Sequence, residues 1–568
     1  IAPENSDSRH ISIFCSACQQ TICPYHLLYH KKTHKALTLL GFDSLQSKPD
    51  NKTLLAQRQK LISKLTKIPK YSETHRQKID YSFEFLMDNH TPTSYCDLAS
   101  INNPSTFKKV SNSLIKALSI CQDKNSTWQG DMEDRFIVLD NYGNRSDTCF
   151  LGLVDGSHGV TAAETVAAEL PLLFLDQLAQ MDSSYKKSKD EQQILDSFAT
   201  VIEADYREKE KIFSDKPGND ETNKTNTYEW IHKAYAKSFW RMDRLLRLGR
   251  NEVSKVRWSG CSAVTCLVER IPKETDGTEE EERKHSENNT HSPLTRTAKG
   301  VAGLLHIANL GNAHAVLCKN GKSHCLSKEH STSNVSERKR ILQNGGNIST
   351  NEPDGLVEGY LRTTRGLGHH GDPILKRSVI PVPHTISVPI DDTCQFLILA
   401  SNGLWEVLDY NEVLALTLTT FTHYLRMYEC VQQNTTAPYK CQYLMPLTED
   451  NLNHSKAIND LQDGIKILYS NKDIFLTDSK GNLKQNYTGQ ELLKTASPVG
   501  SKPPPQFEGD TKTHPSNCKS QTAGRGRVTS ETLYDNAASY ISEQLVKTAL
   551  AAGSRDNITI LIVLLNGC

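Results

Sequence analysis

The strongest constraint on the fold is an alternation of short apolar runs and amphipathic stretches from about residue 93 to the end of the chain. The run Phe150–Val154 precedes Asp155-Gly156, so it predicts a buried strand that ends in a turn. Val160–Met181 is apolar on one face at helical spacing, which predicts an amphipathic helix. Short strands mixed with paired helices indicate a layered α/β domain. Further strands are predicted at Val264–Val268, Gly303–Ala308, His314–Cys318, Phe396–Leu399 and Ile558–Leu565, and further helices at Ile231–Leu246 and Tyr534–Ala552.

Polar segments divide the chain into three regions. Residues 1–40 form a Cys/His-rich head, and residues 41–92 form a connector that is partly helical at Leu54–Ile68. Residues 93–568 form the α/β domain, which three polar stretches of little periodicity interrupt. Such stretches are typical of surface insertions or of disorder. They lie near residues 183–226, 273–299 and 429–530.

The charge balance and the cysteine content limit the class of protein. Lys and Arg number 66 together, as do Asp and Glu, so the formal net charge is zero and nothing favours nucleic acid or an acidic membrane surface as a partner. No apolar run reaches the roughly 20 residues that a bilayer-spanning helix needs. The 15 cysteines, an odd number scattered along the chain, favour a reducing compartment, the cytoplasm or nucleus, over a disulfide scaffold. We expect a monomer whose partners are proteins.

Acidic residues stand at predicted strand ends and turns. Asp155 follows the strand Phe150–Val154, Glu133 lies in the segment WQGDMEDRF, and Asp556 lies between the last helix and the last strand. Carboxylates that meet at strand ends suit hard divalent cations, because Mg²⁺ and Mn²⁺ prefer oxygen ligands. Each residue taken singly also fits a plainer role, as a turn residue, a helix cap or a surface charge.

Eight blocks in a fixed order resolve this ambiguity. They are Met132–Asp134, the turn VDGSHG, Ser259–Val264, Ala308–Leu317, Leu326–His330, Gly359–Gly368, Phe396–Leu408 and the turn GSRDNIT. Together they resemble the PP2C (PPM-type) serine/threonine phosphatase family over about residues 93–566. The resemblance implies an α/β fold in which a sandwich of two antiparallel β-sheets is flanked by helix pairs, here joined to a small N-terminal zinc-finger-like module.

The resemblance also implies a centre of two Mn²⁺ or Mg²⁺ ions in a cleft at one end of the sandwich. In the family, a metal-bridging water attacks the phosphorus of phosphoserine or phosphothreonine directly, and the metals lower the pKa of that water. Carried onto this sequence, Asp155 is the bridging ligand. Glu133 and the carbonyl of Gly156 hold one ion, and Asp556 holds the other.

Several positions depart from the family pattern. Asn402 and Asn312 replace two acidic ligands, and an amide oxygen is a poorer ligand than a carboxylate. Ser157 stands at the general-acid histidine position, with His158 beside it as a substitute donor. Gln129 replaces the phosphate-binding arginine, which removes a bidentate clamp on the substrate.

A fifth departure is His369, which replaces an acidic residue of the family. Loss of general-acid help alone typically costs ~10²–10⁴-fold in rate, and here it combines with weakened metal binding. The sum favours a pseudophosphatase with a degenerate Mn²⁺/Mg²⁺ centre, which binds phosphoproteins or other proteins and regulates them. The alternative is a weak Mn²⁺/Mg²⁺-dependent protein serine/threonine phosphatase. In a third hypothesis the head is the functional part and the α/β domain is a platform.

The head has the ligand spacing of a zinc site. Cys15 and Cys18 are separated by two residues, and His30 and His34 by three, which suits tetrahedral Zn²⁺. Residues 1–40 resemble a degenerate B-box zinc finger, a module that mediates protein contacts. The alternative is a metal-free head with buried thiols and solvated histidines.

A complete B-box holds two zinc ions, and the resemblance implies that one is lost here. The earliest ligand pair would fall near Ala2 and Asn5, and neither residue can serve as a ligand. Cys23 and His26 are then left without partner ligands. The expected single zinc is held by Cys15, Cys18, His30 and His34.

Overall fold

A computed structural model gives the fold of most of the α/β domain and of parts of the head. The main described segments are 104–198, 228–249, 256–271, 300–349, 354–432 and 530–568, with 26–42, 48–65 and 72–88 from the N-terminal region. Shorter described pieces are 12–15, 18, 20–22, 440–445, 464–469 and 474–477. The predicted insertion at 273–299 lies outside the described residues, as do most of the other two insertions.

Two antiparallel sheets form the centre of the domain. The first sheet has the spatial order β10 (Lys322–Cys325), β9 (His314–Lys319), β13 (Cys394–Ala400), β17 (Ile558–Leu565), β4 (Ile115–Asp123) and β3 (Thr106–Phe107). The second has the order β12 (His384–Ile390), β8 (Gly303–Leu310), β7 (Gly260–Arg270), β6 (Thr148–Ser157) and β5 (Arg135–Leu139), and β11 (Leu367–Gly368) also pairs with β7.

Helices cover the outer face of each sheet. The described helices are α1 (Leu27–Leu39), α2 (Asn51–Leu65), α3 (Ser72–Met87), α4 (Thr161–Met181), α5 (Lys189–Asp196), α6 (Glu229–Leu248), α7 (Val335–Gln343), α8 (Pro373–Ser378), α9 (Asn402–Trp405), α10 (Tyr410–Gln432) and α11 (Ser530–Ala551). α4 and α6 pack together on the second sheet, where the rings of Phe174 and Tyr235 stack at 3.9 Å, and α10 and α11 cover the first sheet.

The apolar residues of both sheets meet in a shared core. Strand β17 lies between β13 and β4, with one face on the other sheet and the other face on helices. All of its residues are buried, which explains why its sequence is continuously apolar. Burial of one such side chain contributes roughly 1.5–3 kcal/mol. The expected sandwich of two antiparallel sheets with flanking helix pairs is therefore confirmed.

The head and the connector together form a small core, and the head also contributes to a third sheet. Helices α1, α2 and α3 bury Leu37, Leu40 and Leu54 against one another. The third sheet has the order β16 (Ile474–Thr477), β15 (Gly464–Tyr469), β14 (Lys440–Met445), β1 (Ser12–Cys15) and β2 (Thr21–Ile22). The third predicted insertion therefore carries strands that pair with the head. Within the described residues, no helix has the length and apolar character to cross a bilayer.

Candidate functional site

The predicted metal-ligand positions converge at one end of the sandwich. Asp155 lies near the end of β6, Asp556 in the loop between α11 and β17, and Asn402 at the start of α9. The main-chain N–H of Asn402 donates to Asp155 Oδ2 over 2.6 Å. Its side-chain amide donates to Asp556 Oδ2 over 3.1 Å. Asn402 therefore joins the two carboxylates with positively polarised N–H groups.

Glu133 reaches the same cleft from the segment before β5. Its Oε1 accepts a hydrogen bond from the N–H of Gly159 over 2.8 Å. A Cβ on Gly156 would lie 2.5 Å from the carbonyl oxygen of Glu133, so this position requires glycine to let the two segments approach. The cleft thus brings together Glu133, Gly156, Asp155 and Asp556.

Burial shapes the electrostatics of the cleft. It raises the pKa of Asp155 well above its ordinary value, and the negative charges of Asp134 and Asp556 raise it further. Burial likewise raises the pKa of Asp134 to about 7, although Thr559 donates a hydrogen bond of 2.8 Å to its carboxylate. In the metal-free chain, these carboxylates favour retention of a proton because their charges are close and poorly solvated.

Asn312 lies in the turn after β8, beside the same cleft. Its Oδ1 accepts a hydrogen bond from Ser262 Oγ over 2.8 Å, and its main-chain N–H donates to the same hydroxyl over 3.3 Å. Ser262 is the cross-strand partner of Asp155 in the pairing of β6 with β7. The amide of Asn312 is thus held by the sheet rather than aimed at Asp556.

Ser157, at the predicted general-acid position, lies beside the neutral imidazole of His369. Ser157 Oγ lies 3.4 Å from His369 Nε2 and 3.3 Å from the carbonyl of Gly260. Burial and then the charge of Lys376 lower the pKa of His369 to about 4. The carbonyl of Trp258, which can only accept, lies 3.1 Å from His369 Nδ1, so the single ring proton is on Nδ1.

His158, the predicted substitute donor, has its ring stacked on Tyr360 with 4.9 Å between ring centres. Its ring meets that of His369 edge-on at 5.8 Å. Both histidines have positive φ angles, 59° and 55°, which side-chain-bearing residues rarely adopt. The structure brings both of them to the cleft wall.

Gln129, at the predicted phosphate-binding position, is turned toward the main chain. Its Nε2 donates to the carbonyl of Arg555 over 2.8 Å. The guanidinium of Arg555 lies 4.6 Å above the ring of Trp128. Arg555 therefore lies next to Gln129, the position at which the family resemblance implies an arginine.

Two residues of the site were given no role in the sequence analysis. Asn557 accepts from the N–H of Glu133 at 2.8 Å and donates to the carbonyls of Lys124 and Asp131, so it fixes the loop that carries Asp556. Asp134 is buried beside Asp155. The only signal for either was adjacency to a predicted ligand, since Asp134 follows Glu133 and Asn557 follows Asp556.

The four predicted ligands of the head form a second cluster. Cys15 Sγ lies 3.9 Å from His34 Nε2, Cys18 Sγ lies 3.5 Å from His30 Nε2, and the two imidazole nitrogens are 3.1 Å apart. Among the described residues, this is the one group of three or more Cys, His, Asp or Glu residues whose ligand atoms all lie within 4.8 Å of one another. The carboxylates of Glu133, Asp155 and Asp556 form no such group.

The geometry of this cluster fits a tetrahedral metal site. Ideal Zn–S and Zn–N bonds in a tetrahedron place S and N about 3.5 Å apart and two N atoms about 3.3 Å apart. Burial lowers the pKa of His30 to about 4 and also lowers that of His34, which keeps both imidazoles neutral and able to bind a cation. The cluster could hold a metal ion, and it fits a zinc-finger-like module. Cys23 lies outside the described residues.

Comparison with known proteins places the chain in a family. A family model described as Protein phosphatase 2C matches residues 215–430. That stretch includes Asn312, His369 and Asn402 but not Asp155 or the other retained carboxylates.

Two relatives match almost the whole chain. Protein phosphatase 2C-like domain-containing protein 1 of Homo sapiens is 45% identical over 581 residues, which cover 97% of this chain and 89% of that protein. The protein of the same name from Mus musculus is 39% identical, with 97% and 88% covered. A solved phosphatase structure from Toxoplasma gondii matches with 12% identity and a TM-score of 0.39, covering 82% of this chain and 96% of that one. The chain belongs to the family of protein phosphatase 2C-like domain-containing proteins.

Proposed function

We propose that this protein is a pseudophosphatase that binds phosphoproteins without turning them over. The observation that carries the proposal is the pair of hydrogen bonds from Asn402 to Asp155 and Asp556. In an active centre these carboxylates face divalent cations. Here the main-chain and side-chain N–H groups of Asn402 supply the positive partial charge, so each carboxylate accepts a hydrogen bond from the protein itself.

The residues of the cleft do not fit the two-cation centre of the family. Asp155, Glu133, Asp556 and the carbonyl of Gly156 would hold Mn²⁺ or Mg²⁺, which would supply an activated water. However, Asn402 aims a hydrogen donor at the cleft, and a donor repels a cation. The Glu133 carboxylate is also engaged by the N–H of Gly159.

The donors that assist the leaving group and clamp the phosphate are also missing. His369 is uncharged at neutral pH, and its single ring N–H donates a hydrogen bond to the carbonyl of Trp258. Ser157 has an ordinary hydroxyl, which is a poor acid at neutral pH. Gln129 contributes no charge.

The second candidate function is a weak Mn²⁺/Mg²⁺-dependent serine/threonine phosphatase. Retention of Glu133, Gly156, Asp155 and Asp556 in one cleft favours it, because these positions still offer three carboxylates and a carbonyl to a cation. Glu133, Asp155, Asp556 and the carbonyl of Gly156 would hold the ion, which would supply an activated water for slow hydrolysis of phosphoserine or phosphothreonine.

For the head, we propose a structural Zn²⁺ held by Cys15, Cys18, His30 and His34. The support is the agreement of their separations with a tetrahedron. We also propose that the protein works in the cytoplasm or nucleus, since buried cysteines of the sandwich such as Cys149, Cys261 and Cys266 are free thiols. A zinc module beside a silent phosphatase fold suits an adaptor that contacts other proteins.

The deciding experiment measures Mn²⁺ binding by calorimetry and phosphopeptide turnover on the same sample of the full chain. We expect neither in the wild type. The double variant Asn402→Asp/Asn312→Asp should bind Mn²⁺, because it restores two carboxylates to the cleft. Phosphate release by the wild type that rises with Mn²⁺ would establish the weak phosphatase instead.

A further inference from the structure

Helix α1 of the head packs against the phosphatase-like domain. Leu27 is fully buried in the core that α10 and α11 form over the first sheet, and Leu28 packs against the same core. Lys31 donates to the carbonyl of Val407 over 2.9 Å and forms an ion pair with Glu412, whose side chain is buried. The docking face of α1 thus combines apolar burial with charge-assisted hydrogen bonds, which are directional and fix the helix in one place.

The docked face of α1 reaches both segments that close the cleft. Lys31 bonds the main chain two residues after α9, the short helix that Asn402 begins. Leu28 Cδ2 lies 4.0 Å from the position that a Cβ on Gly553 would take, three residues before Asp556. One helix of the head therefore contacts the segment of Asn402 and the segment of Asp556.

Glu406 joins these two segments to each other. Its Oε1 accepts hydrogen bonds from the N–H of Arg555 over 2.6 Å and from the hydroxyl of Ser554 over 2.9 Å. Its own N–H donates to the carbonyl of Asn402 over 2.8 Å. Because Glu406 directly precedes the residue whose carbonyl Lys31 holds, a contiguous set of contacts leads from α1 to the cleft.

The same helix carries half of the metal-binding residues of the head. His30 and His34 lie on α1, whereas Cys15 ends β1 and Cys18 follows that strand. An isolated helix of 13 residues is marginal in water, so α1 depends on tertiary contacts. Lys31 follows His30 directly, so an ion that fixes the histidines also limits the movement of the residue that docks on the domain.

We propose that zinc in the head positions the cleft: the bound ion fixes α1 in its docked place, and docked α1 holds Asn402 against Asp556. The inference rests on the proposed function of the head, in which it holds a structural zinc, and adds that this ion acts on the phosphatase-like domain. Lys31 is a positioning residue here, because it acts on the cleft only through Val407 and Glu406. Zinc and the closed form of the cleft then stabilise each other.

The test measures amide hydrogen exchange of the full chain with zinc, after a chelator has removed the zinc, and after zinc alone is added back. Removal should speed exchange about tenfold in α1 and at the main-chain N–H of Asn402, the scale of one lost charged hydrogen bond. Exchange in α7, whose Ile341 belongs to a separate apolar core, should stay the same. In Cys18→Ser, exchange should be fast from the start, and added zinc should not slow it.

Two variants test the docking contact while zinc stays bound. Lys31→Met keeps an apolar chain and removes the charge, so it should speed exchange at Asn402 about tenfold. Lys31→Met/Glu412→Gln should do the same, and it guards against a misfolded single variant because it leaves no unpaired buried carboxylate. Lys60→Met makes the same change at an exposed position on α2 and should exchange as the wild type does.

Three results would overturn the inference. Faster exchange confined to α1 after zinc removal, with Asn402 unchanged, would make the head a self-contained module and leave its zinc site in place. Unchanged exchange at Asn402 in both Lys31 variants would exclude the docking contact as the link. A wild-type chain that carries no zinc by elemental analysis would overturn both this inference and the zinc site. Phosphate release is assayed separately, so the pseudophosphatase proposal is tested independently.

Discussion

The side-chain amide of Asn402 donates a hydrogen bond to Oδ2 of Asp556 over 3.1 Å. An aspartate at the same position would present an oxygen to that carboxylate, and the two like charges would repel unless a cation lay between them. The amide removes this need for a cation. The replacement of one carboxylate oxygen by an NH₂ group therefore turns a repulsive contact with Asp556 into a hydrogen bond.

Replacement of Asn402 with Asp should make the stability of the site depend on a bound cation. Without metal, Asn402→Asp should lower the free energy of unfolding by roughly 1–3 kcal/mol, because a hydrogen bond is lost and a charge is added beside Asp155 and Asp556. Mn²⁺ should restore the stability of the variant and leave the wild type almost unchanged. Thermal unfolding with and without Mn²⁺ measures both effects.

The matched control for that prediction is Asn344→Asp, which makes the same chemical change at an exposed position at the end of α7. It should lower stability by less than about 1 kcal/mol, the usual cost of a carboxylate at a helix C-terminus, and Mn²⁺ should not reverse that change. If Asn402→Asp behaved like this control, the amide contact would have no role in replacing the cation.

The ion pair between the head and α10 gives a pH-dependent prediction. Burial raises the pKa of Glu412 to about 7 from its ordinary 4.5, the charge of Asp409 adds to the rise, and Lys31 opposes it. Between these two pH values the folded chain holds a proton that the unfolded chain has released. The contribution of Glu412 to the free energy of unfolding therefore falls as the pH rises through this window.

Glu412→Gln removes the titrating carboxyl. Glutamine, like glutamate, is favoured at the third residue of a helix, which Glu412 is in α10. The free energy of unfolding of the wild type, relative to that of the variant, should fall by roughly 2–3 kcal/mol between pH 5 and pH 8. Urea unfolding across that range measures the difference, and the histidines common to both proteins cancel. A difference that stayed constant with pH would rule out a raised pKa at Glu412.

The sequence predicted most central strands of the sandwich, although β4, which pairs with β17, was not predicted. β17 matches the predicted run Ile558–Leu565 residue for residue, because a central strand that is covered on both faces must be apolar throughout. The edge strand β12 was missed, since most of its residues are partly exposed and its pattern is mixed. α10 continues to Gln432, slightly into a segment predicted as a polar insertion.

The candidate site was predicted in identity but not in orientation. Sequence blocks indicated that Asn402 and Asn312 stand at ligand positions, yet only the folded structure shows that one amide contacts Asp556 and the other contacts Ser262. The docking of Lys31 on Glu412 joins residues 381 positions apart, so no local pattern could reveal it. Contacts of this kind depend on how whole elements pack.

The metal site of the head yields a prediction about stability and stoichiometry. Cys18→Ser removes one of four ligands, so the wild type should carry one zinc per chain and the variant little or none. Structural zinc stabilises small modules by several kcal/mol or more, about 10–16 kcal/mol in isolated zinc-finger peptides. The variant should therefore lose protection of α1 from amide hydrogen exchange. Elemental analysis and exchange mass spectrometry measure the two effects, and Cys325→Ser, at an exposed free thiol, is the control.

Gly403 offers a test of the backbone geometry that positions Asn402. A Cβ at Gly403 would lie 2.1 Å from the carbonyl oxygen of Asn557, which is backbone and cannot move aside as a side chain would. Gly403→Ala should therefore cost about 1–3 kcal/mol of stability, the usual size of an overpacking strain. It should also push the start of α9 away from the loop that carries Asp556.

Gly130→Ala is the matched control, because nothing lies within 4 Å of the Cβ position of Gly130. Chemical unfolding compares the two variants, and amide exchange at Asn402, whose N–H bonds Asp155, reports the local shift. The geometry requires Gly403→Ala to be the less stable variant and to exchange faster at Asn402. Equal stability and equal exchange of the two variants would mean that α9 can move away from Asn557 without a loss of stability. The contacts of Asn402 would then not depend on Gly403.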